Sequence, residues 1–466
     1  MKRDGRSLPR VLRSRPGPSR IRTPRPSVPP LRTRAGLHSG AGGSLLGIVP
    51  ASTILTPMPI LPSKTPVPTG DDPRSRQIRE TLSSYASAPP ALTPAERAEF
   101  RARLAQILST DGIDAMLIEP GGTLEYLTGV ALGRSERLLA AAVMADGSFV
   151  WVTPAFEASR VATVCERASG GAELGKEVLP WDEHQDASKV LADALRSRGA
   201  RRVVADPDVR SRFTLPTGAA LGFAIEDGAA VARKLRGPKT DRELEILRSA
   251  QERTQDAIRA VYAVTEPGMR SSEVGALAHF AQQELGLTGT WDLSLAGPSG
   301  AFPHGDEVDR ELELGTVMLL DTGGRLHGYC SDTTRTWTVG AAPSDEVQRV
   351  WDAVRAAQLA GYEVMRPGAR TGDADKAARA ALAAAGFDGG YAHLAHRLGH
   401  SIGVEIHEPP YLDGGSDIPM EPGMCFTNEP GIYQPGRFGL RIEDICYITE
   451  DGVDHFGQWQ EGPGAP

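Results

Sequence analysis

Four carboxylates and a run of histidines in the C-terminal half have the types and spacing to hold metal ions. Residues 316–321 form an apolar strand ending in Asp321, and residues 328–338 form a second strand rich in Thr and aromatics that contains Asp332. With a turn at Gly323-Gly324 and pairing centred between Leu326 and His327, Asp321 and Asp332 face each other about 5 Å apart. Two carboxylates that close repel unless a cation lies between them. A second acidic pair, Glu429 and Glu443, is placed symmetrically about Gly436 in a Pro-Gly turn. Between the pairs, residues 396–408 carry His396, His400 and His407 among glycines. Four carboxylates and one imidazole give a formal charge that two divalent cations cancel. Oxygen-dominated ligation with one nitrogen suits Mn²⁺ or Co²⁺ better than Zn²⁺. The chemistry that follows is hydrolysis by a bridging hydroxide.

Taken singly, each acid reads as a solvated turn residue or half of a salt bridge, Glu443 with Arg441 or Arg437 for instance. His327 and His393 read as ordinary loop histidines, and Cys330, Cys425 and Cys446 as small buried hydrophobes. The joint arrangement of the four acids and His400 is what overrides those readings.

These residues need a scaffold, and the chain is long enough to supply one. It has 466 residues, 40% of them apolar, which is enough for two or three packed units. The net charge of -8 conceals an asymmetry, because residues 1–70 are basic at +11 and the remainder acidic at -19. The acidic remainder argues against nucleic acid as a partner. The basic stretch holds 13 of the 36 prolines, and residues 1–90 are expected to be a disordered basic, Pro-rich tail. The apolar run 44–49 is short and ends at Pro50, so a signal peptide is not expected. No stretch reaches the length of a membrane span. Four cysteines without a C-x-x-C pair suit a reducing, cytoplasmic setting.

Residues 91–235 read as a small α/β domain. Thr93, Pro94 and Glu96 start a helix, and short apolar runs follow at 115–118, 139–144, 149–152 and 202–205. A long helix from Asp241 to about Val264, opened by Lys239 and Thr240, leads into a catalytic unit spanning 236–460.

Asp321, Asp332, His400, Glu429 and Glu443, in that order, resemble the ligand set of the pita-bread metallopeptidases: aminopeptidase P, prolidase, methionine aminopeptidase and their relatives. The resemblance covers roughly residues 95–455, and the α/β front domain favours the Xaa-Pro branch, since methionine aminopeptidases generally lack one of this size. It implies a creatinase-like N-terminal α/β domain before a pita-bread domain, and two divalent ions, Mn²⁺ foremost with Co²⁺ or Zn²⁺ as alternatives. Asp321 would chelate one ion, His400 and Glu429 would hold the other, and Asp332 and Glu443 would bridge both. It further implies that Glu429 moves the proton, that His407 assists the tetrahedral intermediate, and that His304 contacts substrate. His396 and Arg441 would occupy the outer shell, Arg441 orienting a bridging carboxylate shared with Asp332. The implied activity is hydrolysis of the bond before a proline in second position of a peptide, by a homodimer. A dipeptidase, which needs an Arg for the free carboxylate (Arg437 or Arg137 as candidates), and an aminopeptidase both remain open. So do a related amidohydrolase acting on a small N-acyl amide and a non-catalytic peptide-binding relative.

Overall fold

The computed structural model describes residues 72–82, 87–169 and 174–466. The expected tail therefore lies outside the described residues up to position 71. Its expected end at residue 90 is corrected by a helix, α1 (Pro73–Leu82), that docks on the second domain. Ile78 is fully buried there, and Arg74 and Arg79 pair with Glu266 and Glu284. An isolated ten-residue helix is marginal in water, so this segment takes its order from tertiary contacts its own sequence does not announce.

Helix α2 (Pro94–Asp111) starts as its residues dictate. Thr93 caps the backbone of Glu96 and the Glu96 carboxylate returns the bond, with Pro94 in the first turn. A six-stranded sheet follows: β1 (Ala115–Ile118), β2 (Ala140–Met144), β3 (Phe149–Pro154), β4 (Val178–Trp181), β5 (Val203–Ala205) and β6 (Glu226–Asp227), in the order β4-β3-β2-β1-β5-β6. The β1–β2 and β2–β3 pairs are antiparallel and the other three parallel. Strands β1 to β3 are buried throughout, because helices cover the sheet: α3 (Gly122–Thr128), α4 (Ala158–Ser169), α5 (Ala187–Ser197), α6 (Ser211–Leu221) and α7 (Ala229–Arg236).

Helix α8 (Asp241–Tyr262) opens on a second reciprocal cap, Thr240 with Glu243. It leads through α9 (Ser271–Glu284) into an antiparallel sheet of β7 (Thr288–Ala296), β8 (Val317–Leu326), β9 (Tyr329–Cys330) and β10 (Thr333–Thr338). Two further helices, α10 (Asp345–Val364) and α11 (Thr371–Ala384), precede the second sheet of this domain. Its strands are β11 (Gly399–Ser401), β12 (Glu408–Leu412), β13 (Cys425–Asn428), β16 (Asp444–Ile448) and β17 (Val453–His455), with the ribbon β14 (Gly431–Gln434) and β15 (Phe438–Arg441) inserted between β13 and β16. Among the described residues no helix is long and apolar enough to cross a membrane.

One hairpin register differs from the sequence expectation. Gly323 and Gly324 lie inside β8, and the turn is His327-Gly328, both with positive φ (53° and 92°). A two-residue hairpin loop that matches strand twist needs positive φ at both positions. Gly323 serves another purpose: a Cβ there would sit 2.0 Å from the Ser331 carbonyl oxygen. The ladder shifts by two, so Asp321 stands opposite Thr334, and Asp332 falls in a break between β9 and β10. The other hairpin keeps the expected register. Gly431 pairs with Arg441 and Asn428 with Asp444, which puts Glu429 and Glu443 opposite each other in the gap between two ladder segments, centred on Gly436.

Candidate metal centre and active site

The two hairpins and β11 bring the five expected ligands together in three overlapping groups. Within each group the ligand atoms lie no more than 4.8 Å apart: Asp321, Asp332 and Glu443; His400, Glu429 and Glu443; and Asp332, His400 and His407. Asp332, His400 and Glu443 each belong to two of the three groups. Asp321, Asp332, His400 and Glu443 are buried, Glu429 is half-buried, and His407 and His304 are exposed at the mouth.

Each side chain is held by a neighbour. The displaced Asp332 is fixed by Gln251 of α8, whose amide donates to the Asp332 carbonyl (2.9 Å) and accepts from its N–H (3.1 Å). Thr334, opposite Asp321, donates its hydroxyl to Glu443 Oε2 (2.7 Å) and accepts from Arg441 Nε (3.0 Å). Arg441 also binds Asp321 Oδ2 (2.6 Å). Arg441 thus grips Asp321 directly and Glu443 through Thr334, which corrects the expectation that it shares Asp332. Arg437 pairs with Glu346 at the surface instead of Glu443.

His400 Nδ1 lies 3.1 Å from the Ser401 carbonyl, and since a carbonyl only accepts, that nitrogen carries the proton. Nε2 is left with its lone pair, 3.3 Å from Glu429 Oε1 and 3.7 Å from Asp332 Oδ2. The same reasoning orders His396. Its Nδ1 donates to the Arg397 carbonyl (2.7 Å), so its Nε2 accepts from Tyr433 Oη (2.7 Å), which accepts in turn from Arg441 (2.9 Å). Arg441 also donates to the Pro303 carbonyl (3.1 Å) and so reaches the His304 loop. That loop is pressed onto β15, where a Cβ on Gly439 would lie 1.7 Å from the Gly300 carbonyl oxygen.

Electrostatics marks the same atoms. Burial, followed by the charges of Glu443 and Asp321, holds the Asp332 carboxyl well above the carboxylate range. Burial and then Glu429 do the same to Glu443. Burial lifts Glu429 to about 7. His400 is pushed down by burial and by His407, and burial with the Arg441 charge takes His396 down to about 3. Four carboxylates forced together in low dielectric are stable as anions only with cations among them. Asp321 Oδ1 is buried with no hydrogen-bond partner, an acceptor oxygen left over for a ligand. The donor set therefore fits divalent cations.

Sequence reasoning missed four residues here. Gln251, Thr334 and Tyr433 act through hydrogen bonds that only the fold creates. Arg397 adjoins the expected His396. Its guanidinium lies 3.8 Å from the ring centre of Tyr411 and forms no ion pair among the described residues, while its charge lowers His400, His407 and Glu429.

Fold and site together define a two-domain metallopeptidase. Residues 245–450 match metallopeptidase family M24, and residues 101–236 match the creatinase/prolidase N-terminal domain. Over 356 residues, 76% of this chain and 92% of the other, the sequence is 36% identical to the probable dipeptidase PepE of Mycobacterium tuberculosis. The crystal structure of dipeptidase PepE from Mycobacterium ulcerans superimposes with a TM-score of 0.74 at 32% identity, covering 80% of this chain and 99% of that one. The Xaa-Pro dipeptidase of Lactobacillus helveticus is 28% identical over 362 residues, 76% of this chain and 95% of the relative. The chain belongs to metallopeptidase family M24, with the pita-bread architecture and the creatinase-like front domain that the sequence implied.

Proposed function

We propose that this protein is a metal-dependent dipeptidase that hydrolyses the bond between an N-terminal residue and proline. In this reading Asp321, Asp332, His400, Glu429 and Glu443 hold two divalent ions, Mn²⁺ foremost. The observation that carries it is the buried convergence of four carboxylates on His400 Nε2, with Asp321 Oδ1 unpartnered. Bound ions supply Lewis acidity, which activates water and polarises a carbonyl. Glu429 takes the water's proton and hands it to the departing proline nitrogen, a role its carboxylate is placed for beside His400 Nε2 (3.3 Å). His407 stands at the mouth with its ring centre 4.2 Å from that of His400. Burial and the Arg397 charge lower its pKa, so at neutral pH it is an uncharged imidazole that can donate an N–H to the developing oxyanion. His304, whose loop Arg441 holds through the Pro303 carbonyl, contacts the substrate in this reading.

Arg397 favours a dipeptide. A guanidinium with no ion pair among the described residues, braced on an aromatic ring beside the centre, is suited to a free carboxylate. Replacing it by alanine is expected to raise KM for Ala-Pro about tenfold or more while sparing kcat, and to leave the amidated peptide unaffected. An equal effect on both peptides would remove Arg397 from carboxylate recognition.

The test of the activity is hydrolysis by metal-stripped protein reloaded with Mn²⁺, on Ala-Pro, Ala-Pro-Ala, Ala-Ala-Ala and an N-acyl amino acid. Cleavage of Ala-Pro alone supports the dipeptidase, and cleavage of Ala-Pro-Ala an aminopeptidase. Cleavage of the N-acyl compound with neither proline peptide would overturn the Xaa-Pro reading in favour of a related amidohydrolase.

A further inference from the structure

Arg236, the last residue of α7, is also the last residue matched to the creatinase/prolidase N-terminal domain, one past the expected boundary at 235, yet its guanidinium crosses into the loop that carries His407. It is 7% exposed. One amino group donates to Glu405 and to Glu408 Oε1 (2.5 Å), and the other to Thr123 Oγ1 (2.8 Å), which donates onward to Asp206 Oδ2 (2.6 Å). Glu408 Oε1 also accepts from the Glu405 backbone N–H (3.0 Å), curling the loop on itself. The other Glu408 oxygen lies 3.6 Å from buried Lys239 Nζ, which contacts Ser401 beside His400 (3.3 Å). The backbone of α3 presses on the same loop, where a Cβ on Gly122 would lie 2.5 Å from the Glu405 side chain.

The gripped residues, Glu405 and Glu408, stand two before and one after His407. Among the described residues the His407 ring has no hydrogen-bond partner, and it is exposed, so its direction is set by the backbone on either side. A buried ion network is a poor source of net stability compared with apolar packing, but a planar guanidinium binding two carboxylates fixes their orientation. We propose that Arg236, assisted by Lys239, is a positioning residue for His407, so that the front domain sets the geometry of the oxyanion donor. The proposal rests on His407 having the role given above.

Three variants and a control test it. Arg236→Met removes the charge and risks the fold. Gly122→Ala keeps every charge and adds only a methyl against Glu405, and Arg242→Ala, on a surface pair with Glu96, is the control. The readouts are kcat and KM on Ala-Pro, bound Mn²⁺, and hydrogen exchange over residues 402–408. Gly122→Ala is expected to lower kcat about tenfold with KM and bound Mn²⁺ unchanged and with faster exchange in that loop. Arg236→Lys should recover part of what Arg236→Met loses. Unchanged kcat in Gly122→Ala, or a fall that tracks lost Mn²⁺, would overturn the proposal. If the unaltered protein cleaves no proline peptide, the functional reading fails on its own. Exchange over 402–408 then still decides whether Arg236 and Gly122 order the loop, and unchanged exchange in both variants overturns it.

Discussion

Replacing His400 by alanine is expected to abolish both bound Mn²⁺ and nearly all hydrolysis, whereas replacing His407 should leave the metal in place and lower kcat by about 10²–10³. The contrast follows from where the two rings point. His400 is buried, its Nδ1 proton committed to the Ser401 carbonyl, and its Nε2 lone pair aimed at Glu429 and Asp332. Removing it takes away the one neutral nitrogen donor of the five expected ligands and leaves a set of four carboxylates alone. A ring atom of His407 lies within 4.8 Å of ligand atoms of Asp332 and His400, but His407 is exposed and only its neighbours Glu405 and Glu408 are held, through their side chains, by Arg236. Metal analysis of the two purified variants separates the roles. A His407→Ala protein that loses its Mn²⁺ would make His407 a ligand, and one with unchanged turnover would remove it from the mechanism.

Local features of the fold were the legible ones. The reciprocal caps at Thr93 and Thr240 involve residues three apart, and both helices begin where those residues place them. Glu429 and Glu443 came out opposite each other because a tight turn at Gly436, with φ 77°, fixes the register of everything beyond it. The Asp321 hairpin misled because it holds two candidate turns. Gly323-Gly324 looks the stronger, yet the close pass of Ser331 requires a glycine inside the strand, and His327 accepts the left-handed conformation beside Gly328. The acids still met, since Gln251 from a helix some eighty residues earlier holds Asp332 in place. Gln251, Tyr433 and Arg236 share one reason for being invisible in the sequence. Each is an ordinary polar residue whose partner lies far along the chain, so nothing in its local sequence marks it.

Above about pH 7, the metal-free protein is expected to lose stability as pH rises, and Mn²⁺ to cancel the loss. Asp332 and Glu443 hold protons in the folded chain well above the range in which the unfolded chain releases them, and Glu429 does so up to about 7. The folded state therefore binds more protons than the unfolded one in this window, and stability must fall through it. Below about 7 the sign is contested. His304, His396, His400, His407 and His455 all have lowered values, so the unfolded chain takes up protons there and acid destabilises the fold. Above about pH 7 the unfolded imidazoles give up their remaining protons and the carboxyls decide the sign, so the interval from about pH 7 to 8.5 isolates them. The buried thiols, Cys330 and Cys425 pushed up to about 12, contribute only at higher pH. One excess proton over this interval is worth on the order of 2 kcal/mol, several degrees of Tm. Thermal unfolding of the stripped protein across the interval should show that decline, and Glu443→Gln should flatten it and raise Tm at the alkaline end. With Mn²⁺ present the slope should vanish or reverse, because the ligands bind the ion as anions. A stripped protein whose Tm holds level or climbs across this interval would mean that the four carboxylates do not share a dry, cation-demanding centre.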